Sequence, residues 1–413
     1  MIKIRKTNIV LGIIIDTDFK IPPVTGVTYR LYYLSKFLIE QGVHVKIFIC
    51  NRNLNNKTGE KLLYENSQLE YHIIPETIFY DHLKLFNIKK ENKIDILQFE
   101  DSVSVLRYKY IYQTLKIPVC LEMHDVESSL IEMLNYCNKD IIQSNKISRN
   151  ACILADSIIC MTPLDYSELI YKIGVNKNKL TIIPNPIDLK TFRFFGPNLK
   201  SNNVIFIGNM FYWPNQNAAL KIIRNVVPEV LSKNKNIKFY FIGMAPEKLK
   251  RLKSKNVIFT GQIKDLNNYL KQTSIALCPV YEGSGMKVKI LNYCSAGIPT
   301  ITTKIGSSGF EKITSLIIEN NLAKYPNIII ALLKDGEKML AIGKSNRRLI
   351  KKYFDVNVLS KKIAMVYRNM FKYKDRISDD NLIDSNDLSL PLWLNEKRIS
   401  KIKNKKYYII KNG

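Results

Sequence analysis

The sequence predicts an α/β protein of two Rossmann-like domains, each a parallel sheet covered by helices. Three observations carry that prediction: short apolar runs that close in Gly or at a Pro, segments of helical spacing between them, and a length of 413 residues, which suits two domains of ordinary size. With 46% hydrophobic residues, each domain can bury a core.

In chain order, Ile9–Ile15 (IVLGIII) reads as a first buried strand. A loop containing Gly26, with Thr25 and Thr28 beside it, leads into a helix that ends near Gly42. This Rossmann-like opening lacks GxGxxG, so nothing in it argues for a nicotinamide or flavin dinucleotide. Prolines and turn residues from Pro184 to Pro197 mark a hinge, which gives a first domain of residues 1–195. Beyond it Val204–Gly208, Phe239–Gly243, Val257–Gly261 and Ser274–Val280 read as strands. Asn215–Leu231 and Leu266–Gln272 read as helices, and Ile298–Thr303 as a further buried strand. The second domain, residues 196–372, closes with a helix from Asp355 to about Tyr373, and a basic tail of residues 373–413 follows. In such sheets ligands bind beyond the carboxyl ends of the strands, which is where these glycines fall.

The densest chemistry lies in Tyr281–Thr302, read YEGSGMKVKILNYCSAGIPTIT. Gly283 and Gly285 permit a tight turn that exposes the amides around Ser284 and Met286. The run from about Lys287 through Tyr293 reads as helix, so its positive dipole end faces the loop, and Lys287 and Lys289 add charge there. A nucleotide diphosphate would satisfy those donors; the plainer alternative is a Gly-rich turn with solvated lysines.

The balance of 63 Lys and Arg against 36 Asp and Glu, a net +27, implies an anionic partner. No nucleic-acid-binding module is recognisable, which argues against nucleic acid. Charge concentrates in 390–413, where Lys397, Arg398, Lys401, Lys403, Lys405 and Lys406 interleave with Trp393, Ile399, Ile402, Tyr407 and Ile409. Such a segment can lie on an anionic membrane surface, or be a solvated tail or a segment packed back on the domain. Seven scattered cysteines without a CxxC pair read as reduced and buried. With no apolar run near the roughly 20 residues of a membrane span, a cytoplasmic protein is expected, peripheral to the membrane at most.

Several segments then resemble one family, the retaining glycosyltransferases of the GT-B fold, family four (glycosyl transferases group 1). They are Phe206–Ala219 (FIGNMFYWPNQNAA), Val257–Leu270, Glu282–Thr303 and Ile305–Phe310 in the second half. In the first half they are Thr25–Val45, Asp95–Glu100, Pro118–Ser128 (PVCLEMHDVES), Leu154–Asp165 and Ile182–Phe192. The resemblance implies two Rossmann-like domains facing across a cleft. It also implies transfer of a hexose from a nucleotide-sugar to a saccharide or lipid-linked acceptor, with retention of anomeric configuration and no metal or other cofactor. The Asp16-Thr17-Asp18 triplet is reminiscent of the metal-binding DxD of the other glycosyltransferase fold, but it follows the first strand of a GT-B-like domain.

Breaking the bond between the anomeric carbon and phosphate oxygen builds negative charge on the leaving diphosphate. Lys289, Lys287 and the cradle amides can hold that charge, each well-placed donor lowering the barrier by on the order of 3 kcal/mol. By resemblance, Glu282 matches the first glutamate of the EX7E signature, which accepts hydrogen bonds from donor-sugar hydroxyls. The second glutamate, a ribose ligand, falls on Asn292, with the longer spacing of a GxGxKxKIL subset. His124 matches the histidine that faces donor sugar and phosphate, with Asp125 and Glu127 as weaker candidates, and Gly26 matches a loop that closes over the donor. The family often has a cation after the first strand of its second domain. Here Gly208, Asn209 and Met210 stand there, leaving Asn209 and Asn215 as polar contacts. The loss at Asn292 and the missing cation favour the alternative of a noncatalytic GT-B-like partner or scaffold; intact His124, Glu282 and Lys289 favour an enzyme.

Overall fold

The computed structural model describes residues 8–16, 26–51, 60–63, 69–81, 92–126, 129, 132, 137–283 and 285–372, and the observations that follow concern these. Thr17, Asp18, Thr25, Glu127, Ser284 and the basic 373–413 segment lie outside the described residues.

The first unit is built on an eight-stranded sheet. Its strands are β1 (Ile9–Ile15), β2 (Val43–Asn51), β3 (Glu60–Leu63), β4 (Leu69–Pro75), β5 (Ile96–Phe99), β6 (Val119–Met123), β7 (Ser157–Cys160) and β8 (Leu180–Ile182). Their order is β3-β4-β2-β1-β5-β6-β7-β8, parallel throughout except for the antiparallel edge pair β3–β4. Strand β1 is a continuous apolar run because both its faces are covered, and Ile9, Leu11, Ile13, Ile14 and Ile15 are all buried. It pairs in register from Ile9 opposite Val43 to Ile15 opposite Ile49. Helix α1 (Gly26–Glu40) packs Leu31, Leu34, Phe37 and Leu38 into the core at helical spacing. Gly26 is thus a helical residue rather than a loop residue. Helix α2 (Asn138–Leu154) buries Ile147, Ala151, Cys152 and Leu154 beside β6.

The second unit is a six-stranded, all-parallel sheet of β9 (Asn203–Ile207), β10 (Lys238–Ile242), β11 (Val257–Gly261), β12 (Ile275–Cys278), β13 (Thr300–Thr302) and β14 (Ile317–Ile318). Its order is β11-β10-β9-β12-β13-β14. The apolar runs of the sequence coincide with the first five of these within a residue or two. Helix α3 (Trp213–Lys221) starts with Pro214 in its first turn, where a missing N–H costs nothing. It continues through a widened turn at Ile222–Val226 into Val227–Lys233, and Pro228 at the start of that last piece explains the interruption. Helix α4 (Val288–Ala296) ends at Gly297, whose φ of +79° would strain any side chain and whose missing Cβ leaves room for the Phe194 ring. Helix α5 (Gly336–Tyr353) packs on α4.

The closing helix α6 (Val356–Lys372) belongs to the first unit, burying Leu359, Ile363, Ala364, Tyr367 and Met370 against α1 and its sheet. Sequence order places it in the second domain instead, because an amphipathic stripe shows that a helix packs without showing on which sheet. The structure divides the chain between Pro186 and Ile187 and again between Asp355 and Val356, in place of a single boundary at residue 195. Six of the seven cysteines are buried, whereas Cys137, expected in an apolar setting, is exposed. Among the described residues no helix is long and apolar enough to cross a membrane.

Candidate functional site

In the second unit, the carboxyl ends of β9, β10 and β12 converge on the loop before α4. Two features hold α4 against the sheet: the Tyr293 hydroxyl accepts from the Ile207 amide at 2.7 Å, and the same ring is buried. The backbone of Gly243 approaches that of Gly208 so closely that a Cβ at Gly243 would lie 2.3 Å from the Gly208 oxygen. These close approaches bring β9 and β10 to the start of α4.

Lys289, in the first turn of α4, is buried beside Gly208. Its Nζ donates to Asn215 Oδ1 at 2.6 Å and stands 4.2 Å from the centroid of the Phe206 ring. Asn215 in turn donates from Nδ2 to the Asn209 carbonyl at 3.0 Å, and the Asn209 side chain accepts from the Phe211 amide at 3.1 Å. A cation from α4 thus stands beside the end of β9, where the chain itself carries none. Burial, with the nearby charge of Lys287, lowers the Lys289 ammonium to about 8.

The glycine loop is closed from within. Lys287 donates to the carbonyls of Gly283 at 3.1 Å and Gly285 at 2.9 Å, so its ammonium clamps the turn. Gly283 and Gly285 both have positive φ, as their role in the turn requires. Tyr212 and Pro214 pack over Gly283, where a Cβ would come within 3.2 Å of the Tyr212 hydroxyl. Met286 is buried beneath the loop, while the amide of Ser284 lies outside the described residues.

Glu282 Oε1 accepts from Asn217 Nδ2 at 2.8 Å. Asn217 was missed by sequence reasoning, although its place one turn into the helix after β9, two residues beyond Asn215, was the available signal. Asn292 lies on α4 one turn after Lys289; it is buried, and its Oδ1 has no hydrogen-bond partner among the described residues. A buried acceptor left unsatisfied is a position where a ligand hydroxyl would be held.

The first unit carries its own charged centre at the carboxyl ends of neighbouring strands β5 and β6. Arg30 of α1, fully buried, donates from Nε at 2.8 Å and from Nη2 at 2.5 Å to Glu122 Oε1, and from Nη1 to the Pro184 carbonyl at 2.6 Å. Gln98 Nε2 donates to Glu122 Oε2 and to Glu100 Oε1, both at 2.8 Å, while its own carbonyl accepts from the Tyr367 hydroxyl at 2.5 Å. His124 Nε2 lies 2.8 Å from Glu100 Oε2. Burial and the charge of Glu122 hold the Glu100 carboxyl above its usual range, against the opposing pull of His124. Burial works against a charged His124, but the hydrogen bond and charge of Glu100 outweigh it and raise the imidazole above its usual range.

The ligand atoms of Glu100, Glu122 and His124 lie within 4.8 Å of one another, a spacing that can hold a cation. Here the Arg30 guanidinium and the His124–Glu100 bond already engage them. Asp16 of the DxD-like triplet is likewise engaged, accepting from the Tyr80 hydroxyl at 2.9 Å and from Arg107 Nη1 at 3.2 Å.

Comparison with known proteins agrees with the fold. Residues 24–191 match the model "Glycosyltransferase Family 4", and residues 201–335 match "Glycosyl transferases group 1". A phosphatidylinositol N-acetylglucosaminyltransferase component from Arabidopsis thaliana is 22% identical over 331 residues, covering 72% of this chain and 68% of that protein. The chain spans 61% of the human counterpart. The UDP-Gal:alpha-D-GlcNAc-diphosphoundecaprenol alpha-1,3-galactosyltransferase of Escherichia coli is 24% identical over 321 residues, covering 70% of this chain and 79% of that one. Among solved structures, Anabaena Alr3699/HepE in complex with UDP and glucose superposes with a TM-score of 0.67 at 12% identity, covering 87% of this chain and all of that one. By its two matched domains and their GT-B architecture, the chain belongs to the family-four, group 1 glycosyltransferases.

Proposed function

We propose that this glycosyltransferase moves a hexose from a UDP-sugar to a lipid-linked saccharide, with retention of anomeric configuration and without a metal ion. The observation that carries this reading is the buried Lys289 ammonium, placed at the start of α4 and beside the strand ends, where an anionic diphosphate would meet both its charge and the helix dipole. The plant and bacterial relatives are named for lipid acceptors, and the bacterial one for a UDP-sugar donor.

In this reading Lys289 and the amides of Gly285 and Met286 hold the departing diphosphate. Asn209, through its carbonyl, and Asn215 set the position of the Lys289 ammonium, and Lys287 keeps the loop in shape. Glu282, oriented by Asn217, accepts from donor-sugar hydroxyls, and the unsatisfied Asn292 Oδ1 accepts from a ribose hydroxyl. Gly26 lets the start of α1 come close to the donor, and His124 donates to the sugar or phosphate. Charge neutralisation by Lys289 replaces the usual work of a divalent ion at the leaving group.

The test is a panel of UDP-, GDP-, ADP- and dTDP-sugars, read by thermal shift and slow donor hydrolysis, with and without divalent metal. The expected result is stabilisation and metal-independent hydrolysis with one UDP-sugar, and transfer to an undecaprenyl-diphosphate-linked saccharide whose product keeps the donor's anomeric configuration by NMR. No shift with any nucleotide would instead favour a noncatalytic partner protein.

A further inference from the structure

We propose that Glu100 is a positioning residue of the transfer reaction, fixing His124 through Nε2 so that Nδ1 is left to meet the donor. This rests on the reading above that His124 contacts the donor. Glu100 and His124 each stand immediately after a strand, β5 and β6, which run side by side with Phe99 opposite Leu121. The two side chains therefore meet at one sheet end, Nε2 to Oε2 at 2.8 Å.

Glu100 is itself immobilised. Its second oxygen accepts from Gln98, and Gln98 is pinned from both sides by Glu122 and the Tyr367 hydroxyl. A carboxylate with both oxygens engaged and a side chain 4% exposed has one orientation to offer the imidazole. The imidazole is 16% exposed, and among the described residues Glu100 is its one polar partner, which leaves Nδ1 for a ligand. A histidine whose second nitrogen is held by a carboxylate has its tautomer and ring angle set by that partner.

The charges around the pair explain why a proton stays there. Arg30 from α1 balances Glu122 from β6, while Cys120 of β6 and Tyr367 of α6 are neutral neighbours whose ionisation burial suppresses. Glu100 and His124 together are then neutral only while they share one proton, and releasing it would leave a net negative charge in a buried cluster. Burial and the charge of Glu122 raise Glu100, while the hydrogen bond and charge of Glu100 raise His124 against its burial, and both directions agree with this sharing. While it holds that proton, the pair presents an N–H at Nδ1 to an oxygen of the donor sugar or phosphate.

The experiment uses the full chain labelled at histidine with ¹³C and ¹⁵N, the His124 signals being assigned with His124→Gln. In Glu100→Gln the His124 titration midpoint should fall by at least about one pH unit, since a buried imidazole loses its charged partner. Transfer kcat should fall about 100-fold, with the pH profile moved in step, a size typical of one misplaced acid–base group. UDP affinity by calorimetry should stay within about twofold, because Lys289 and its loop hold the diphosphate. Glu100→Asp, which keeps the charge but shortens the reach, should fall between wild type and Glu100→Gln in both titration and kcat. An unchanged His124 midpoint in both variants overturns the pairing, and a shifted midpoint with unchanged kcat and pH profile overturns the positioning role. A wild-type protein that turns over no nucleotide-sugar is a failure of the parent reading, recognisable before any substitution, and removes this proposal with it.

Discussion

Lys289 and Asn215, 74 residues apart, meet at 2.6 Å beside the backbone of Gly208, where a side chain would collide with both. The contact puts a buried ammonium at the end of β9, without a carboxylate to balance it among its hydrogen-bond and ring partners. Holding that charge out of water costs on the order of 3 kcal/mol, a cost an anionic ligand would offset.

Lys289→Met is expected to abolish detectable UDP binding by calorimetry while raising the unfolding midpoint of the ligand-free protein by about 2–4 °C. A binding constant equal to wild type would refute the phosphate assignment. A clear fall in the midpoint would instead show that the ammonium stabilises the empty fold.

The pH dependence follows from the same group. Its folded value, about 8, lies below that of a free lysine, so the unfolded chain binds more protons between about 8 and 10.5. This group's contribution to stability therefore rises with pH across that window. Donor affinity should move the opposite way, falling as pH climbs through about 8 and the ammonium is lost. Parallel melting and UDP titrations from pH 7 to 10 would check both signs, and in Lys289→Met both trends should vanish.

At Gly208 a methyl group would come within 2.9 Å of the Asn215 carboxamide and 3.1 Å of Lys289 Nζ, which are ends of flexible side chains. Gly208→Ala should keep its fold and lose UDP affinity by at least about tenfold as the ammonium is pushed aside. Gly243→Ala should behave differently. Its φ is +125° and its Cβ would strike the Gly208 carbonyl at 2.3 Å, so it should lose several kcal/mol of stability in denaturant melts. Equal stability losses in the two variants would contradict this division.

Asn292 should show the converse of a structural residue. Replacing it with Leu removes a buried acceptor that has no partner, so the ligand-free midpoint should hold or rise, while UDP affinity falls about tenfold through one lost hydrogen bond. If affinity for UDP and for the base-bearing nucleoside monophosphate is untouched, the ribose assignment is wrong.

Tyr367→Phe tests the anchoring of α6. The change strips the donor from Gln98 Oε1 in a buried network, and a loss of about 1–3 kcal/mol is expected in denaturant unfolding. A neutral effect would mean that α6 is held by its apolar stripe alone.

Much of the fold was legible in the chain because local rules fix it. Apolar runs such as Val204–Gly208 and Ser274–Val280 are strands because residues such as Val204, Phe206, Ala276 and Leu277 are covered on both faces, and positive-φ glycines stand at the ends of elements at Gly42, Gly261 and Gly297. The Gly283–Lys289 loop was readable for the same reason, as glycine spacing and a following helix are sequence-local facts. The match of the two family domains then agreed with the order of those motifs.

What the sequence could not reveal were relationships between residues far apart in the chain. Spacing alone left Lys287 and Lys289 alike, yet the structure turns one onto its own loop carbonyls and buries the other beside Gly208. Arg30 and Glu122 lie 92 residues apart and Tyr367 and Gln98 lie 269 apart, and only the packing of α1 and α6 on one sheet joins them. The sequence by itself determined the two parallel sheets, their strand ends and the glycine cradle, because backbone geometry and hydrophobic period act over a few residues. Tertiary structure alone decided which lysine is the buried charge, which carboxylate holds His124 and on which unit the last helix lies, because those depend on which distant side chains share one water-free space.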